Sequence, residues 1–151
     1  MPQMPENAFV HLHVHSQYSV LDGQASVKAL VDKAIANGMR GIALTDHGNM
    51  FGIKELTDYV NKKNKDVDGE IKNLKKTIEE LKSADAVDQE ALSKAETALK
   101  EAESKIFTPI IGCEMYVADN DMADRSNKKD IGRHLIVLAK NQHGYHDLRK
   151  L

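Results

Sequence analysis

The chain has 151 residues, of which 41% are apolar and 29% are charged, and its formal net charge is -2. This length predicts one modest domain. No run approaches the roughly 18 apolar residues that a membrane span needs, and the start lacks the features of a signal peptide, so we expect a cytoplasmic protein without a membrane partner. A single cysteine excludes an internal disulfide. The near-neutral charge excludes a basic surface over the whole domain as an argument for nucleic-acid binding.

The first third of the chain predicts a strand, a helix and a second strand. We expect an extended strand over 8–14, a helix over 26–37 and a short buried strand over 41–45, together a β-α-β unit. The helix has the clearest signals: its apolar residues recur at helical spacing, Ser26 can cap its start and Gly38 can end it.

The remaining elements continue this alternation. A second helix is expected over 52–60, strands over 108–118 and 134–139, and a last helix over 144–151. Apolar strands that alternate with helices predict a largely parallel sheet, or part of an α/β barrel, with four strands visible.

The middle of the chain has a different composition, because 21 of the 45 residues over 61–105 are charged. Apolar residues recur there in steps of three and four on each side of a break at 83–88, which is typical of a narrow coiled-coil seam. Asp88 can cap the second segment. We predict an antiparallel helical hairpin over 61–106, with helices of about 13 and 18 residues that would be marginally stable alone. It is either a partner-binding arm or, as we favour, a solvated insertion that the fold tolerates.

The first predicted strand carries three histidines. The two-residue period of a strand places His11, His13 and His15 on one face and the intervening apolar residues on the other. A lone histidine is more often a core or surface residue, but neutral imidazole is the commonest protein metal ligand. Three imidazoles at this spacing therefore favour a metal site.

Asp46 and His47 directly follow the strand over 41–45. The carboxyl end of a parallel strand is where α/β folds place their active sites. Taken alone, this short motif is equally well interpreted as an ordinary turn, with Asp46 as a turn or cap residue and His47 as a loop histidine.

Glu114 lies among apolar residues of a predicted buried strand. A buried carboxylate is costly unless a cation or hydrogen bonds compensate, so a metal is one explanation, and a water-facing edge or a salt bridge to Arg133 or a lysine is the alternative. Strand alternation points Cys113 away from Glu114 and predicts a buried, inert thiol. The residues that together form a possible ligand set are His13, His15, Asp22, His47, Glu114 and His134. We expect His143 and His146 to be solvated.

Four stretches resemble successive motifs of the PHP (polymerase and histidinol phosphatase) domain, in the version at the amino terminus of bacterial DNA polymerase III alpha subunits: FVHLHVHSQYSVLDG, GIALTDHGNMFGIKEL, PIIGCEMYVA and HLIVLAKN. The resemblance implies a distorted (β/α)7 barrel, present here as its first strands only, in residues 1–60 and 107–151, with 61–106 inserted. The chain would then be an amino-terminal fragment without the later strands and the polymerase domains. Unpaired sheet edges in such a fragment favour self-association.

The resemblance also implies a site and a chemistry. The implied metal ligands are His13, His15, Asp22, His47, Glu114 and His134, the implied catalytic residues among them are His13, His15, His47 and Glu114, and His11 and Asp46 support them without touching the metal. The implied reaction is metal-assisted phosphoester hydrolysis, with Zn or Mn in a multinuclear cluster because mixed imidazole and carboxylate ligands suit these ions.

The implied context is DNA replication. The parent protein would be a DNA-directed DNA polymerase, a nucleotidyltransferase, with a 3′–5′ proofreading exonuclease in this domain, and its implied partners are DNA, a separate proofreading subunit and the sliding clamp. The fragment alone is expected to be inactive. Two alternatives stay open: a catalytically silent module that stabilises the polymerase and docks the proofreading subunit, and a free-standing phosphatase of the histidinol phosphatase type.

Overall fold

The computed structural model describes residues 9–83, 88–118 and 132–151. The elements in chain order are α1 (Val27–Ala36), β1 (Gly41–Leu44), α2 (Ile53–Ser83), α3 (Gln89–Ser104), β2 (Thr108–Val117), β3 (Arg133–Leu138) and α4 (Gln142–Leu148). This confirms the predicted α/β class. The chain divides into two compact units, one of Met1–Tyr59 with Thr108–Leu151 and one of Val60–Phe107. No helix in the described ranges has the length and apolar character to cross a membrane.

The sheet of the first unit has the strand order β1-β2-β3. β1 pairs with β2 in parallel, from Gly41 opposite Thr108 onward, whereas β2 pairs with β3 antiparallel. The prediction of a largely parallel sheet is therefore wrong for β3, and the described residues contain three strands rather than four. An apolar run indicates that a strand is buried but carries no information about its direction.

The predicted strand over 8–14 is also wrong, because the described part of this segment forms no strand. It does lie along β1: the N–H of Ala43 donates to the carbonyl of His11 and the N–H of Thr45 to that of Val14, both at 2.9 Å. The chain bends at Leu12 and His13 between these two bonds, which interrupts a regular ladder.

Helix α1 begins and ends as the sequence predicts. The Ser26 hydroxyl oxygen accepts a hydrogen bond from the N–H of Ala29 at 3.2 Å, and Gly38 has a φ of +77° directly after the helix. One face of α1, with Val27 and Val31, is fully buried, as is all of β1. Together they form much of the core on which the site rests.

Helix α2 begins near the predicted position but continues for 31 residues to Ser83. The predicted stop at Val60 and the separate short helix after it are wrong. Between Val60 and Ser83 the sequence has no proline, and Gly69 costs a helix only about 1 kcal/mol relative to alanine, which is too little to end it. Helix α3 has 16 residues, and the Asp88 carboxylate caps it as predicted by accepting two backbone N–H bonds at 3.0 Å. Most of the predicted break, 84–87, lies outside the described residues.

In the unit of Val60–Phe107, two ion pairs join α2 to α3 in reverse order, Lys82–Glu96 at 3.0 Å and Lys75–Glu103 at 3.2 Å, and a third joins Glu70 of α2 to Lys105, directly after α3, at 3.8 Å. The two helices therefore run in opposite directions. Each pair is about half exposed and contributes at most about 1 kcal/mol. The buried Asn64 side chain connects α2 to the end of this unit. Its amide donates to the Phe107 carbonyl at 2.8 Å, and its oxygen accepts from the N–H of Phe107 at 3.1 Å.

The strands β2 and β3 confirm the two predicted after the charged region, to within one residue at each end. Helix α4 begins two residues earlier than predicted and ends three residues earlier. The Asn141 side chain caps α4 by accepting from the N–H of Gly144 at 2.9 Å, so Gly144 lies inside the helix rather than at its start.

Candidate metal centre

Glu114 of β2 is the centre of the site. It is 4% exposed, which confirms the predicted burial. Its Oε2 lies 2.7 Å from Nε2 of His13 and 2.6 Å from Nε2 of His15, while its Oε1 lies 2.8 Å from Nδ1 of His134. The carboxylate is therefore compensated by three imidazoles that come from two distant parts of the chain.

Backbone pairing brings His47 next to Glu114. Beyond the end of β1, the N–H of Glu114 donates to the Asp46 carbonyl at 3.1 Å, and the N–H of Gly48 donates to the Glu114 carbonyl at 2.9 Å. Gly48 has a φ of +66°, a conformation that glycine adopts without steric cost, and it turns the chain away after this bridge. The predicted position of His47 at the carboxyl end of a parallel strand is confirmed.

The segment that carries His13 and His15 is fixed by the residue between them. The N–H of Val14 donates to the Thr45 hydroxyl oxygen, and the N–H of Thr45 donates to the Val14 carbonyl, both at 2.9 Å. The Nε2 atoms of His13 and His15 are 3.1 Å apart, and both face the same carboxylate oxygen.

The described residues contain two groups whose ligand atoms all lie within 4.8 Å of one another: His13, His15 and Glu114, and His47, Glu114 and His134. Glu114 belongs to both, with one oxygen toward His13 and His15 and the other toward His134. This mixture of imidazole and carboxylate donors could hold a divalent metal ion.

Asp22 contacts two of the imidazoles on the side that faces away from Glu114. Its Oδ2 lies 3.1 Å from Nδ1 of both His15 and His47, and its Oδ1 accepts from the Ser19 hydroxyl at 2.5 Å. The Ser19 hydrogen bond, followed by the one from His47, lowers the pKa of Asp22 below its usual value. Asp22 is in neither of the two ligand groups, so its predicted role as a direct ligand stays a prediction.

The hydrogen-bond partners of the ring nitrogens of His15 and His47 show whether a cation would suit this site. A neutral imidazole has one N–H, but His15 faces the Asp22 carboxylate with Nδ1 and the Glu114 carboxylate with Nε2. The second carboxylate therefore requires either a protonated ring or a cation. In His47, Nδ1 faces Asp22, and Nε2 is buried with no hydrogen-bond partner among the described residues. An unsatisfied buried polar atom costs roughly 1–3 kcal/mol, which a bound cation would offset.

Two buried serines that the sequence did not single out hold the loop between His15 and Asp22. The buried Asp46 carboxylate accepts from the N–H of Ser16 at 2.6 Å and from its hydroxyl at 2.8 Å. The Ser19 hydroxyl oxygen accepts from the N–H of His47 at 3.0 Å. Periodicity cannot identify these serines, because their burial depends on contacts made about 30 positions along the chain.

Tyr116 is a third residue that the sequence did not identify. The antiparallel register places it opposite His134. Its ring stacks on His47 with centroids 4.6 Å apart and meets His134 edge-on at 5.1 Å. Tyr116 therefore limits the positions that these two imidazoles can take.

Burial of Glu114 by itself raises its pKa, but the hydrogen bonds from His13 and His15 outweigh this effect, so its pKa lies below the usual value. The carboxylate is thus ionised at neutral pH and available to a cation. Burial raises the pKa of the Cys113 thiol, which confirms the predicted buried cysteine.

The other predicted histidines lie outside the two groups. His11 is exposed and packs edge-on against Phe9, with centroids 4.7 Å apart. His143 and His146 are exposed on α4, as predicted.

Comparison with known proteins identifies the family of the chain. The family model for the PHP domain matches residues 11–151. The chain is 39% identical, over 98% of its length, to the DNA polymerase III subunit alpha of Treponema pallidum (strain Nichols), and 35% identical, over 95% of its length, to that of Borreliella burgdorferi. It is 31% identical over 93% of its length to the DNA polymerase III subunit alpha of Chlamydia trachomatis. The chain spans only 8–9% of the length of these relatives. The chain belongs to the PHP domain family.

Proposed function

We propose that the chain is the PHP domain of a bacterial DNA polymerase III alpha subunit and that its site hydrolyses phosphoesters with bound divalent ions. The observation that carries the proposal is the position of Glu114, whose two carboxylate oxygens face two separate sets of imidazoles. Similarity to DNA polymerase III alpha subunits over 93–98% of the chain supports the polymerase context.

The proposed ligand set is His13, His15, Asp22, His47, Glu114 and His134, with His13, His15, His47 and Glu114 closest to the reaction. Zn or Mn in a cluster of more than one ion fits the donor types. When bound, such ions would stabilise charge on phosphate oxygens and lower the pKa of a water molecule. Asp22 has two proposed roles: it is one of the six ligands, and its carboxylate also holds the Nδ1 atoms of His15 and His47, which leaves both Nε2 atoms for the centre.

Exposure supports one direction of access for the substrate. The side chains of His13 and His134 are 52% and 47% exposed, whereas that of Glu114 is 6% exposed. A phosphoester would therefore approach over the two exposed imidazoles, with the shared carboxylate behind them.

In the full protein we propose that the substrate is the 3′ end of DNA and that the activity is a 3′–5′ proofreading exonuclease beside polymerisation. DNA, a proofreading subunit and the sliding clamp would be partners, and replication places the protein in the bacterial cytoplasm.

We also propose that residues 1–60 and 107–151 form part of a (β/α)7 barrel, with 61–106 as an inserted hairpin. In the described residues β3 lies at a sheet edge, which supports self-association of the chain; a compact monomer at high concentration in sedimentation would contradict it.

One observation favours a catalytically silent structural module as the second candidate. Glu114 already connects the segments around His13 and His134 through hydrogen bonds, and metal would add to that connection without any reaction. Exonuclease assays on the full-length polymerase separate the two candidates. The enzymatic proposal expects removal of 3′ nucleotides that a chelator abolishes and that Glu114→Gln abolishes. A full-length protein that binds metal but degrades no DNA with or without chelator would support the structural module.

A further inference from the structure

A pocket of about 320 Å³ opens beside the candidate metal centre. It is lined by His47, a member of one ligand group, and by Asp22, whose carboxylate contacts Nδ1 of His47, so a group bound in the pocket would be adjacent to one bound at the ions. Apart from these two residues, the lining is largely apolar and aromatic. We refer to Val20, Leu21, Phe51 and Tyr116 as the apolar rim.

The apolar rim is unusually exposed. Leu21 is 98% exposed, Val20 85%, Phe51 76% and Tyr116 55%. Single exposed apolar residues are normal on a protein surface, but several around one pocket indicate a binding site.

The rim is held in place by hydrogen bonds. The turn that carries Val20 and Leu21 is closed by a bond from the N–H of Gly23 to the Ser19 carbonyl at 2.6 Å. A Cβ atom at Gly23 would lie 1.8 Å from the Ser16 carbonyl oxygen, so the turn is closely packed. A binding surface on a fixed turn loses little conformational entropy when a ligand arrives.

Asn49 fixes the opposite side of the pocket and has little capacity left for a ligand. Its side-chain amide donates to the carbonyls of Tyr18 and His47, both at 3.1 Å, and its oxygen accepts from the N–H of Phe51 at 3.2 Å. The Ser19 hydroxyl is likewise engaged, by Asp22 and by the N–H of His47, which leaves Gln17 as the remaining polar side chain beside Asp22 and His47. The lining therefore offers more apolar and aromatic surface for stacking than groups for specific hydrogen bonds.

We propose that this pocket is the base subsite of the centre: the apolar rim holds the nucleobase of the terminal nucleotide, while its phosphate lies toward His47. The inference rests on the proposed phosphoesterase function and adds to it how a nucleotide is recognised. The volume of the pocket is at the lower end of the range for ligand pockets, about 300–1,000 Å³, which fits one nucleotide rather than a longer segment. Stacking without base-specific hydrogen bonds predicts that all four bases are accepted, as a proofreading activity requires.

The test compares two ligands that carry the same phosphate. The 151-residue chain, loaded with Zn, is titrated with deoxyadenosine 5′-monophosphate and with 2-deoxyribose 5-phosphate, which lacks the base, and binding is followed by NMR. We expect the nucleotide to bind about tenfold more tightly, as one stacked base provides. In Leu21→Ser and in Phe51→Ala, we expect the two ligands to bind equally.

Leu135 provides the matched control, because it is another leucine that is 53% exposed, and its register partner is Met115 rather than a residue of the site. Leu135→Ser should keep the tenfold preference. Circular dichroism and zinc content confirm that each variant is folded and loaded.

The outcomes separate the two proposals. Equal binding of both ligands by the unsubstituted chain overturns the base subsite but leaves the metal centre standing. Binding of neither ligand, by a chain that is folded and loaded with zinc, overturns the phosphate site at the centre and the subsite with it. If there is no base preference and Leu21→Ser instead lowers the unfolding temperature of the full-length polymerase, the rim is a packing surface and the subsite is overturned.

Discussion

Substitution of Glu114 by glutamine removes one negative charge from a buried position and leaves the shape of the side chain nearly unchanged. Because the two oxygens of Glu114 face separate groups of imidazoles, both groups lose their only carboxylate at once. Loss of a residue that merely orients a metal ligand weakens binding 10–100-fold, so loss of a shared ligand should exceed about 100-fold, or about 2.7 kcal/mol.

The assay is a competition titration of the chain against a chelating dye with Zn or Mn, together with elemental analysis of the metal content. His134→Gln provides a graded comparison, because His134 belongs to only one group. We expect this variant to lose part of the bound metal, whereas Glu114→Gln loses nearly all of it.

Glu103→Gln is the matched control for the same chemical change. The Glu103 side chain is 48% exposed and pairs with Lys75 at 3.2 Å in the other unit, so its substitution should leave metal binding unchanged and cost at most about 1 kcal/mol of stability. Equal metal affinity in the unsubstituted chain and in folded Glu114→Gln would refute the assignment of Glu114 as the shared ligand.

Three further predictions concern single residues. Asp22→Asn should weaken metal binding at least 10-fold, because Asp22 is a proposed ligand and also orients His15 and His47; a change below about threefold in the dye titration would contradict both roles. Ser26→Ala should lower the free energy of unfolding by about 1 kcal/mol through loss of the α1 cap, and an unchanged urea midpoint would be inconsistent with the cap. Cys113, which is 3% exposed, should react with a thiol reagent slowly in the native chain and rapidly in denaturant; equally fast native labelling would show that the thiol is accessible.

The sequence alone determined those features that depend on neighbouring residues. The limits of α1 follow from Ser26 and Gly38, and the cap of α3 follows from Asp88, because each is a contact within one turn of a helix. The burial of Glu114 was predictable too, since apolar residues surround it on β2. Helix α2 was predicted at its start but not at its end, because nothing in the local sequence is a strong stop.

The tertiary structure decided what depends on distant parts of the chain. His13 and Glu114 are 101 positions apart, and only the pairing of β1 with β2 and of Val14 with Thr45 brings them together. The same pairing buries Ser16 and Ser19, and the direction of β3 sets the place of Tyr116. Local propensity assigns a residue to a helix or strand, whereas the partners of a side chain depend on strand register and direction, which are fixed only when the whole sheet assembles.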